Sequence, residues 1–75
     1  MTVVTRKPNY AALRDQMRDL RDKRGLTFDQ LAEKSGVDRR TLLAMQKGTT
    51  NGRLDSWFSV AQAFEVEPGE FFSVL

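Results

Sequence analysis

Apolar residues recur every three or four positions along most of this chain, and the pattern restarts several times. Tyr10, Leu13, Met17 and Leu20 form the first stripe, the spacing of one buried face on a helix. Asn9 stands where it can cap that helix. The run predicts an end near Arg24, with Gly25 as the stop and cations in the last turn, as the helix dipole favours. Phe28, Leu31 and Ala32 predict a second helix over about 28–35, and Leu42 and Met45 a third over about 39–47, closed by Gly48. TTNGR (49–53) has the composition of a loop. Leu54, Trp57, Val60, Ala61 and Phe64 then mark a fourth helix. Pro68 suits the first position of a short fifth one reaching the C-terminus, with Val66 and Phe71 as its hydrophobic staple. No strand-like alternation, internal repeat or low-complexity segment interrupts the pattern. An all-α domain of five helices over 9–75 is expected, preceded by MTVVTRKP (1–8) as a flexible arm.

The stretch TFDQLAEKSGVDRRTLLAMQKG (27–48) holds two helix starts close together. Thr27 precedes Gln30 by three residues, the spacing of a reciprocal capping box, and Leu26 and Leu31 flank it as a staple. Asp38 is a good N-cap residue, with Val37 before it and Leu42 four after it. Gly36 lies between, where the first helix should end in a left-handed turn. A short helix, a tight corner and a second helix opening with Arg39 and Arg40 are therefore expected. Such a corner can bury both inner faces and thrust the second helix outward.

Composition narrows the chemistry. Seventy-five residues without Cys or His make one small domain with no disulfides, no common zinc site and no thiol or imidazole catalyst. The core alone should supply roughly 3–5 kcal/mol. No Gly-rich phosphate loop appears, so neither an enzyme nor a cofactor is expected. No apolar run approaches the roughly 20 residues of a membrane span, and residues 1–10 lack a signal-peptide core. A soluble, cytoplasmic protein with no membrane partner follows as an expectation. Net charge is only +2, but it is unevenly spread: residues 1–24 carry +4, 25–48 carry +1 and 49–75 carry −3. A basic front and an acidic rear suit one surface for a polyanion and another turned away from it.

The outward face of the third helix should present Arg39, Arg40, Leu43, Ala44 and Lys47, because Leu42 and Met45 point inward. Its first turn is the end that enters a DNA major groove first. An Arg fork there can donate bidentately to guanine O6 and N7, worth about 1–3 kcal/mol of discrimination. We favour DNA contact for Arg39 and Arg40 over the reading of ordinary surface arginines. Ala44 is small enough for close approach or a thymine methyl, while Leu43 fits a thymine-methyl contact, an interface or plain exposure. Thr27, at a helix N-terminus, suits a phosphate, and Lys23 and Arg24 can touch phosphates at the end of the first helix. RDQMRDLRDKR (14–24) places Arg18 with Asp22 and Asp19 with Lys23 at i,i+4, which reads as a solvated, self-compensating face. Asp38 could accept from cytosine, but capping is the favoured role. Trp57, Phe58 and Phe64 read as packing residues rather than base-stacking platforms. Phe71 is expected in the core, and Phe72, Val74 and Leu75 partly in a self-interface.

The segment LRDKRGLTFDQLAEKSGVDRRTLLAMQKG resembles the helix-turn-helix of the Cro/C1-type, lambda-repressor-like DNA-binding domains, and LDSWFSVAQAFEVEPGEFF resembles their fourth and fifth helices. The resemblance spans about 13–72. It implies a five-helix domain that binds operator DNA, usually as a dimer, with the third helix in the major groove. By position it assigns base reading to Arg39, Arg40 and Ala44, and phosphate contact to Thr27, Thr41, Lys47 and the 49–53 loop, including Thr49 and Arg53. Three positions depart from the family pattern. Phe28 stands where a Gln often braces the third helix and a phosphate. Gln46 stands where a Glu often pairs with the helix-one arginine, here Arg21. Leu43 replaces a more usual polar side chain.

These observations lead to the expectation of a sequence-specific double-stranded DNA-binding regulator, similar to the small repressors of phages and mobile elements. It would act in the bacterial nucleoid or an infected host's cytoplasm. A homodimer on an inverted repeat is expected. With the chain closing on its fifth helix, no small-molecule effector is expected either. The arm could add a minor-groove contact through Arg6 and Lys7. The alternative, from another class, is a protein–protein module on the same scaffold: an antirepressor, an antitoxin-like partner or a recombination accessory factor.

Overall fold

The computed structural model describes residues 7–75. Most of the expected arm, Arg6 included, falls outside that range, and Lys7 and Pro8 are exposed. The described chain forms α1 (Tyr10–Arg24), α2 (Phe28–Ser35), α3 (Arg39–Lys47), α4 (Leu54–Ala63) and α5 (Pro68–Phe71), followed by a 3₁₀ turn over Phe72–Val74. The bounds of α1 to α3 agree with those expected from the stripes and stops. By contrast, α4 ends one residue before Phe64 and α5 stops at Phe71, with a 3₁₀ turn in place of the helix expected to reach the C-terminus. The fold is all-α.

Local bonds fix most of the starts. Asn9 Oδ1 accepts from the Ala12 amide at 3.1 Å, opening α1. The capping box of α2 is complete: Thr27 Oγ1 accepts from Gln30 N at 3.1 Å, and Gln30 Oε1 accepts from Thr27 N at 2.9 Å. The corner then turns at Gly36 with φ +75°, a left-handed conformation that costs a residue with a Cβ about 1 kcal/mol or more. Asp38 occupies the N-cap of α3 as expected, but its side chain makes no capping bond. Its φ of −57° and ψ of 139° set the turn, and the carboxylate stays in solvent.

The helices close around ten buried apolar residues: Leu13 and Met17 of α1, Leu31 of α2, Leu42 and Met45 of α3, Trp57, Val60 and Ala61 of α4, then Phe64 and Phe71. Burying side chains of this kind contributes roughly 1.5–3 kcal/mol each for the larger ones. α2 packs on α3 and α4, α1 packs on α3, and α5 packs on α4. The Trp57 indole donates to Asn51 O at 2.7 Å, which satisfies its N–H where the ring is buried. That arrangement requires Gly52: at φ +78°, a Cβ there would stand 2.6 Å from Trp57 Nε1. Gln16 Nε2 donates to Phe71 O at 2.9 Å and ties α1 to the C-terminal end.

Some expectations fail in the packing. Leu54 is 73% exposed and Phe58 42% exposed. Leu54 is the first residue of α4, at the outer end of the stripe. Phe58 lies one residue past Trp57, roughly 100° around the helix from the buried side. Phe72 and Val74 are half-buried against the chain's own core and Leu75 is 38% exposed, which leaves the expected self-interface open. Arg18 reaches back to Asp15 at 3.2 Å and across to Asp19 at 3.9 Å. The expected Arg18–Asp22 and Asp19–Lys23 pairs do not form among the described residues. All of these groups are exposed, where rotamer freedom decides between nearly equivalent partners.

Candidate nucleic-acid interface

Leu42 and Met45 are fully buried and fix the rotation of α3 about its axis. Arg39, Arg40, Leu43, Ala44 and Lys47 consequently line one shallow surface depression together with Thr49. Arg40 and Lys47 are exposed, while Leu43 and Ala44 are half-buried and form its apolar floor. The four base-reading positions expected from the sequence thus share one surface. Helix ends frame it: α3 opens with two arginines and closes at Gly48.

The phosphate candidates divide. Lys47 belongs to the depression. Thr49 lines it too, but its hydroxyl donates to Ala44 O at 3.2 Å and its amide bonds to the same carbonyl at 3.1 Å, so a phosphate would have to displace a bond that closes α3. Thr41 and Arg53 meet on a separate shelf between the corner and the start of α4, beside Asp38 and Asp55. Arg53 is 84% exposed and pairs with Asp55 at 3.4 Å. Thr27 is exposed. Its oxygen serves the α2 cap, which leaves the hydroxyl proton free to be donated. Arg24 is exposed in the last turn of α1. Lys23 lies elsewhere, in a groove with Asp19, Leu20 and Val74.

The departures at Phe28 and Gln46 prove to be structural solutions. The Arg21 guanidinium carbon sits 4.1 Å over the Phe28 ring, a cation–π contact, and Arg21 Nη1 donates to Leu26 O at 3.2 Å. Gln46 Nε2 donates instead to the Arg14 carbonyl at 3.0 Å, tying α3 to α1. Arg21 Nε and Gln46 Oε1 are buried without hydrogen-bond partners among the described residues. The Arg14 guanidinium also rests against the end of α3, where a Cβ on Gly48 would meet its Cζ at 3.1 Å.

One contact at the site has no signature in the sequence. Arg39 Nε lies 3.0 Å from Asp29 Oδ1, with side-chain exposures of 56% and 80%. Asp29 reads in sequence as a first-turn acid that complements the α2 dipole. Its reach across the corner depends on how α2 and α3 pack, and ten residues of separation gave no local signal of it.

A family model described as helix-turn-helix matches residues 17–71. The chain belongs to the helix-turn-helix family. The match covers all but the first part of α1 and the last residues, in agreement with the resemblance read from the sequence. This helix-turn-helix chain is 33% identical over 60 residues to a protein of Archaeoglobus fulgidus described as an uncharacterized HTH-type transcriptional regulator, covering 80% of this chain and 86% of that one. It is 32% identical over 60 residues to a regulator of Methanocaldococcus jannaschii with the same description, covering 80% of this chain and 91% of the relative. No solved structure gives a significant match. Among the described residues no helix is long and apolar enough to cross a membrane, and no three His, Cys, Asp or Glu side chains stand together to hold a metal.

Proposed function

We propose that this protein is a sequence-specific double-stranded DNA-binding regulator that works as a repressor, with α3 entering the major groove. The observation that carries the reading is the outer face of α3. Arg39 and Arg40 lead it, Lys47 closes it, and Leu43 and Ala44 form an apolar floor between them, all outward because Leu42 and Met45 are fully buried. Guanidinium groups at the leading turn read guanine edges, and the apolar floor suits thymine methyls. Thr27, Lys47 and Arg24 contribute phosphate contacts, and Thr41 and Arg53 extend them onto the neighbouring shelf. The family match and the description of the relatives as transcriptional regulators support the same class.

The regulator acts as a homodimer on an inverted repeat, with half-sites about one helical turn, roughly 34 Å, apart. An apolar groove lined by Tyr10, Leu54, Trp57, Phe72 and Leu75 supports self-association, since exposed Leu54 and Leu75 border it. No cofactor or small-molecule effector enters this reading, and no catalytic step does. Selection of bound sites from random duplex DNA tests it. A palindromic winner with G in each half-site, bound less tightly as salt rises, is expected. Recovery of no preferred sequence would remove the proposal, and an asymmetric winner would remove the dimer.

A further inference from the structure

The geometry points to Asp29 as a positioning residue that sets how Arg39 offers its donors to DNA. This rests on the groove-reading function proposed above. The Asp29 carboxylate forms an ion pair with Arg39 at Nε, 3.0 Å away, from the first turn of the helix that precedes the corner. A guanidinium carries five N–H donors in one plane. With Nε engaged, the side-on fork formed by Nε and its neighbouring terminal nitrogen is taken up, and the end-on fork of the two terminal nitrogens is the one left to a base. The contact also limits rotation of a long side chain that is 56% exposed and otherwise samples many rotamers.

The pair does not lock Arg39 away from a ligand. Ion pairs this exposed contribute about 0–1 kcal/mol, so a guanine edge or a phosphate can compete. Asp29 has a second consequence, because a carboxylate beside a groove-facing arginine repels the duplex polyanion. It weakens binding to all sequences alike. Being equal for all sequences, that penalty lowers general affinity and leaves discrimination to the geometry the pair imposes on Arg39. Phe28 offers no hydrogen bond to α3 and carries Arg21 over its ring, so Asp29 is the side chain of α2's first turn that reaches Arg39.

The test is a set of base-preference profiles on the selected site, each position varied in turn, for the parent, Asp29→Asn, Arg39→Ala and the double variant. Thermal melting establishes that each is folded. Asp29→Asn should bind random-sequence duplex severalfold more tightly. At the position read by Arg39 it should lose about fivefold or more of its discrimination, a fraction of what a bidentate contact supplies. In the Arg39→Ala background the same change should leave the profile untouched. A parent-like profile for Asp29→Asn overturns the inference while leaving the groove-reading function standing. So does an equal change of profile in the Arg39→Ala background. A parent with no sequence preference overturns both.

Discussion

Helix α2 begins on two reciprocal hydrogen bonds between Thr27 and Gln30, at 3.1 and 2.9 Å, whereas α3 begins at Asp38 with no side-chain bond. Both helices follow the same sequence pattern of cap, staple and buried stripe. The difference fits the roles proposed for the two helices. α2 is the support, and its start is held by its own residues before any partner is met. α3 is held from beneath, by Leu42 and Met45, and its leading arginines lie on the outside. A surface that is to meet a ligand is best fixed from the side the ligand does not touch.

The largest effect should come from removing that hold. Leu42→Ala opens a cavity under α3 and should cost about 2–5 kcal/mol of stability, a large share of what so small a domain has. Denaturant unfolding followed by far-ultraviolet dichroism measures it, and a loss below about 1 kcal/mol would mean that α3 is not anchored there. The two caps sharpen the contrast at smaller scale. Thr27→Ala removes a formed capping box and should cost about 1 kcal/mol, while Asp38→Ala, which breaks no hydrogen bond, should cost a few tenths through the helix dipole alone. Equal losses at the two positions would show that Asp38 caps α3 in solution, and the comparison would fail.

The same contrast explains what could be read in advance. Helix bounds were legible because they are set locally, by Asn9, Thr27, Gly36 and Pro68 and by stripes of regular period. The outward face of α3 was legible because burial of Leu42 and Met45 determines it. The exposure of Leu54 and Phe58 was not, since a stripe does not say where its neighbours end. Nor were the contacts between helices around that face. Arg21 over Phe28, Gln46 to the Arg14 carbonyl and Asp29 to Arg39 each join different helices. Long flexible side chains choose such partners only once the packing is in place.

In the proposed function α3 presents its two leading arginines to base edges. The direct measurement is titration of a duplex carrying the selected repeat with the parent and with the Arg39→Ala, Arg40→Ala double variant, both verified by their melting curves. Two lost contacts of at least about 1 kcal/mol each should weaken binding by about thirtyfold or more and flatten the preference over unrelated sequence. Equal affinity and equal preference in the two proteins would mean that these arginines read no bases.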